Sequence, residues 1–87
     1  MNSQKLNVVR KLNKLVHKRF TLAGLYTNLQ TIANNDSIHF NHAQELIDGE
    51  DWRIDFSFTC AGVEYDGSIW FIKTRTDLMF ITEVCVD

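Results

Sequence analysis

Hydrophobic spacing near the start of the chain describes a helix face. On a wheel turning 100° per residue, Val8, Leu12, Leu15, Val16, Val9 and Phe20 fall within an arc of about 140°, and Arg10, Lys11, Lys14 and Lys18 gather opposite. This predicts an amphipathic helix with a basic outer face. Asn2 or Ser3 would open it, since a short side-chain oxygen accepts an unpaired backbone N–H of the first turn. A second helix is predicted behind Thr21, with Leu22, Leu25, Tyr26, Leu29 and Ile32 along one stripe. Asn34-Asn35 would end it, because asparagine tolerates the left-handed conformation of a helix C-terminus. A short third helix from His42 to Ile47 follows from Asn41 as cap, Gln44 three residues on in a capping-box position, and Gly49 as stop.

After Asp51 the period changes to two. Trp52, Ile54, Phe56, Phe58 and Cys60 alternate with Arg53, Asp55, Ser57 and Thr59, the pattern of a strand with one buried face. At Ala61-Gly62 the apolar parity flips to Val63 and Tyr65, which predicts a β-bulge. Asp66-Gly67 predicts a two-residue hairpin turn, because glycine adopts positive φ freely and aspartate tolerates it. A second strand from Ser68 to about Thr74, a turn at Arg75 to Asp77 and a third strand from Leu78 to Val86 complete the pattern. The expected fold is α+β: two N-terminal helices and a short third helix packed on one face of a three-stranded antiparallel β-meander. All 87 residues form one domain, residues 1–50 mainly helical and 51–87 the meander. Ile69-Trp70-Phe71-Ile72 and Leu78-Met79-Phe80-Ile81 place large apolar groups on both sheet faces. The face without helices is therefore expected to meet a partner protein, or a second copy in a homodimer.

Composition adds a charge map. The formal net charge of −2 conceals six bases and no acid up to Asn35 (Lys5, Arg10, Lys11, Lys14, Lys18, Arg19), then eleven acids and three bases from Asp36 onward. Such segregation suits an anionic partner for the first half, or attraction between the halves within the fold. Ten aromatic residues and a hydrophobic fraction of 45% place the chain well away from disorder. Two cysteines, Cys60 and Cys85, are too few for a disulfide scaffold, and no apolar run resembles a signal peptide or membrane span. A soluble cytoplasmic protein is expected, with no membrane partner.

Candidate chemistry is sparse. Asp36, His39, His42 and Glu45 recur every third residue, but a helix capped at Asn41 leaves His39 outside it, and only His42 and Glu45 would share a face. That supplies two ligands where zinc takes three or four, so no metal or other cofactor is expected. Cys60, beside the Ala61-Gly62 interruption, is the better nucleophile candidate, yet a strand interior rarely presents one. The isolated glycines form no phosphate loop, dinucleotide fingerprint or nucleophile elbow. The expectation is therefore of a protein without catalytic activity.

Two binding surfaces remain. Arg10, Lys11, Lys14 and Lys18 could lie along nucleic-acid phosphates. Three helices followed by a hairpin resemble a winged helix-turn-helix in element order, although acids in the third helix would repel DNA. The other surface joins Glu45, Asp48, Glu50, Asp51 and Asp55 with Trp52, and adds Trp70 and Phe71 from the sheet. Acids around an aromatic suit docking to a basic protein surface. In size, in its lack of a catalytic constellation and in its mix of acidic patch and apolar sheet, the chain resembles in general type the small phage-encoded inhibitors such as anti-CRISPR proteins. The leading expectation is a non-enzymatic interaction module that binds, and inhibits or adapts, a larger protein or nucleoprotein complex. The alternative is a nucleic-acid-binding regulator using the basic helix face.

Overall fold

The structure is a computed structural model and describes residues 3–46 and 49–87. Helix α1 (Ser3–Asn13) leads into strand β1 (Arg19–Phe20) and helix α2 (Leu22–Asp36). Five strands follow: β2 (His39–Phe40), β3 (Gln44–Glu45), β4 (Asp51–Cys60), β5 (Val63–Lys73) and β6 (Met79–Val86). All pairings are antiparallel, in the order β1-β6-β5-β4-β2, with β3 also on β4. The α+β class stands, but the expected three helices and three-stranded meander are replaced, among the described residues, by two helices and a six-stranded sheet. Strands β1, β2 and β3 come from residues 1–50 and pair with strands of residues 51–87.

The predicted third helix is overturned first. His39 and Phe40 pair with Ser57 and Phe56, and Gln44 and Glu45 with Arg53 and Trp52. Asn41 N–H donates to the Asp55 carbonyl at 2.9 Å and Leu46 N–H to that of Asp51 at 2.8 Å. A helix of six residues would leave most of its own end groups unpaired. Laid along β4 instead, the segment satisfies its backbone and that of β4 together, burying Ile38 and packing Phe40 on Phe56 at 5.6 Å between ring centroids. The end of that predicted helix, Ile47, lies outside the described residues, as do Asn2 at the start of α1 and Asp48 of the acidic group.

The hairpin also moves. Cys60 pairs with Val63, so Ala61-Gly62 is the turn rather than a bulge, and Asp66 and Gly67 are strand residues opposite Ser57 and Phe56. Ala61 (φ 51°) and Gly62 (φ 78°) both lie in the left-handed region, as a tight two-residue hairpin of this hand requires. Alanine is strained there. Ala61→Asn is therefore expected to stabilise the protein by about 1 kcal/mol, read as a melting temperature higher by about 4–8 °C. A fall in melting temperature would argue against this turn.

Strand alternation across the corrected register builds one core. Ile54, Phe56, Phe58 and Cys60 of β4, Ile69 and Phe71 of β5, and Met79 and Ile81 of β6 face Val8 and Leu12 of α1 and Leu25, Leu29 and Ile32 of α2. Thr21 caps α2 by accepting Gly24 N–H at 3.0 Å. The helix runs past Asn34-Asn35 and ends at Ser37, whose φ of 55° carries the left-handed step. Helix α1 stops at Asn13, earlier than its apolar stripe suggests, and Leu15 reaches the core from the turn that follows.

Candidate protein-binding face

Residues of opposite parity to the core turn to the face that carries no helix. They include Asp51, Arg53 and Asp55 from β4, Ser68, Trp70 and Ile72 from β5, and Phe80 from β6. Trp70, Ile72 and Phe80 are half-buried, an apolar strip over the two central strands. A register shift between Trp70 and Phe71 interrupts the β5–β6 ladder there: Phe71 pairs with Ile81, Trp70 with Glu83, and Thr82 is the extra residue.

Each aromatic ring of the strip carries a cation. The Arg53 guanidinium sits 5.4 Å from the Trp70 ring centroid, and that of Arg19 sits 5.0 Å from Phe80. The His17 ring stacks on Phe80 at 6.0 Å and 14°. Arg53 is further held by its neighbours. Its Nε lies 3.0 Å from Asp55 Oδ1 at an angle that makes an ion pair and not a hydrogen bond, and its Nη2 donates to Gln44 Oε1 at 3.4 Å. Asp55 Oδ1 in turn accepts the Ser68 hydroxyl at 2.7 Å. Such links pre-set the long Arg53 side chain and limit its rotamer freedom.

The residues expected to form one acidic docking surface separate. Trp70 and Asp55 lie on the open face; Glu45, Glu50 and Asp51 are exposed along its β3–β4 margin. Phe71 is 1% exposed beneath the helices and has no surface to offer. Trp52 also turns inward and stacks on Phe71 at 6.3 Å, its indole Nε1 buried without a hydrogen-bond partner. The basic set divides as well. Lys11 makes an ion pair with Asp36 at 2.7 Å, so one of the four bases pairs with the acidic half of the chain. Arg10 is exposed on α1, while Lys14 and Lys18 are exposed beyond its end. Arg19, His17 and Arg53 escaped the sequence reading as partners of aromatic rings, because only the register places them there.

His39 and His42 are both exposed, and line a shallow groove of about 410 Å³ with Tyr26, Gln30 and Asn34. Tyr26 Oη accepts Ala43 N–H at its side, at 2.9 Å. Among the described residues no group of three or more His, Cys, Asp or Glu is placed to hold a metal ion. Cys60 is buried in the core. The Cys85 thiol donates to Glu83 Oε1 at 3.2 Å, and its pKa is raised mainly by that bond, then by burial and the charges of Glu83 and Asp87. Among the described residues no helix is long and apolar enough to cross a membrane. Compared with protein-family models, curated proteins and solved structures, the chain shows no match, so the reading of its function rests on this face alone.

Proposed function

We propose that this chain is a protein-interaction module that binds a larger protein or nucleoprotein complex through the helix-free face of its sheet, and thereby inhibits or adapts it. The observation that carries this reading is the strip of Trp70, Ile72 and Phe80, half-exposed on that face with Arg53 and Arg19 held over its rings. Tryptophan and arginine are the residue types that most often dominate binding energy, and they do so at the centre of a contact ringed by polar groups. Glu45, Glu50 and Asp51 supply the polar margin here and favour a partner with basic residues around an apolar knob.

The test is quantitative capture of a partner from native lysate, identified by mass spectrometry and repeated with variants. Trp70→Ala is expected to weaken capture about 30-fold or more, as hot-spot truncations of about 2 kcal/mol do. Arg10→Glu with Lys14→Glu should leave it unchanged. The opposite outcome, with salt-dependent retention on heparin lost in the charge-reversed variant, would replace this reading by nucleic-acid binding.

A further inference from the structure

We infer that two copies of this chain associate edge to edge through β6, as antiparallel strands about a two-fold axis at Cys85, with Leu6 and Val9 of each α1 beside the seam. This rests on the sheet edge and not on the helix-free face, which such a pairing leaves open.

One side of β6 is covered along its length by β5. The other is covered only at its start. Strand β1 pairs with Met79 and Phe80, and the last bonds across that side join Ile81 to its neighbours, His17 N–H to the Ile81 carbonyl at 2.8 Å and Ile81 N–H to that of Lys18 at 3.1 Å. From Thr82 to Val86 no described strand lies there.

The direction of the backbone groups follows from the ladder. Asp87 N–H donates to the Asp66 carbonyl at 2.8 Å, so Asp87 turns toward β5. Alternation then turns Cys85 the same way and turns the N–H and C=O of Val86 and Val84 outward. The extra residue Thr82 accounts for the change of phase, since Ile81 before it also points outward. Four backbone groups thus face outward without a partner among the described residues. A two-fold axis at Cys85 sets Val84 opposite Val86 of the second copy, and Val86 opposite its Val84, so all four groups are satisfied by four hydrogen bonds. Open edges of this kind recruit strands by the same geometry wherever nothing blocks them.

Helix α1 lies against β6 and supplies the apolar part of the seam. Its Lys11 marks the side toward α2 through the Asp36 ion pair, and Val8 and Leu12 mark the side toward the sheet. At 100° per residue, Leu6 and Val9 come round on the side away from α2, above the open edge. Leu6 is 37% exposed, one of two large apolar side chains so exposed among the described residues. Asn13 completes that side, and the one charge on its sheetward flank, Lys5, is drawn onto the Tyr65 ring at 4.3 Å. The like-charge approach in this arrangement is Glu83 toward Asp87 of the second copy, so added salt should tighten the dimer.

Sedimentation velocity over a wide concentration range and thiol cross-linking test this directly. The wild-type chain is expected to dimerise, more tightly with salt, and the shortest bis-maleimide at alkaline pH should join Cys85 to Cys85. Val84→Pro removes an outward N–H that no bond inside one copy uses, and should weaken association at least tenfold, with some fall in melting temperature because the Val84 side chain packs on the core. Leu6→Glu should do the same and carries the test if the proline variant misfolds. A wild-type chain monomeric throughout, a dimer indifferent to both substitutions, or a dimer whose Cys85 residues stay unlinked would overturn the inference.

Discussion

Gly67→Ala is expected to lower the stability of the protein by about 3 kcal/mol, the upper part of the range for forcing extra volume into a packed site. Gly67 stands in the middle of β5, between Phe56 on β4 and Val86 on β6. A Cβ built there would collide with the Phe56 ring and with the backbone carbonyl of Cys85. Neither can yield cheaply. Phe56 is 3% exposed and wedged between Phe40 at 5.6 Å and Phe58 at 6.2 Å, and the Cys85 carbonyl belongs to the adjoining strand. For a domain of this length the whole folding free energy is about 4–13 kcal/mol, so one methyl group would remove a large share of it. Gly67→Asn separates the possible causes. Asparagine suits a turn that needs positive φ, but in a space filled by a ring it should cost more than alanine. Urea denaturation of the two variants is the measurement. A loss below about 1 kcal/mol for alanine, or asparagine tolerated better than alanine, would show that Gly67 is not held against Phe56 as described.

That residue also explains where the sequence misleads. Asp66-Gly67 carries the stronger hairpin signature, yet the chain turns five residues earlier at Ala61-Gly62. The deciding term is long-range. Turning at Ala61-Gly62 sets Val63, Tyr65, Gly67, Ile69 and Phe71 opposite Cys60, Phe58, Phe56, Ile54 and Trp52, so every inward position of one strand meets an inward position of the other. The parity flip that looked like a bulge is the turn itself. Local turn preference is worth a fraction of what that matched burial contributes, since each fully buried large apolar side chain brings about 1.5–3 kcal/mol.

Other elements were legible because their signal is periodic and long enough to be read. The nine-residue alternation from Trp52 to Cys60 is β4, and the stripe Leu25, Leu29 and Ile32 is the buried side of α2 behind its Thr21 cap. Strands of two residues have no period. His39-Phe40 and Gln44-Glu45 exist because β4 offers a backbone edge to them, and nothing within those residues announces it. The same holds for the open face. Its apolar strip could be foreseen from the runs around Trp70 and Phe80, but the guanidinium over each ring depends on pairings between residues far apart in sequence.

Two adjacent aromatic residues on opposite faces allow the division between folding and binding to be tested at one point in the chain. Phe71→Ala is expected to cost about 3–5 kcal/mol, the range for truncating a buried phenylalanine to leave a cavity. It is 1% exposed, packs in the same core as Val8, Leu12 and Leu25, and forms the stacking partner of Trp52. Losing that partner opens the indole of Trp52 to water, so a red shift of tryptophan emission should accompany the fall in stability. Trp70→Ala, one residue away, removes a half-exposed ring whose main partner is the Arg53 guanidinium. A half-buried cation–π contact of this kind is worth about 0.5–2 kcal/mol, and the variant should unfold within about that margin of wild type. For partner capture the order reverses: Trp70→Ala should weaken it about 30-fold or more in a folded protein, whereas Phe71→Ala should reduce it only in proportion to the unfolded fraction. Equal stability losses for the two variants would mean that the sheet is covered on both faces, and capture surviving Trp70→Ala would place the contact elsewhere than on the Trp70–Phe80 strip.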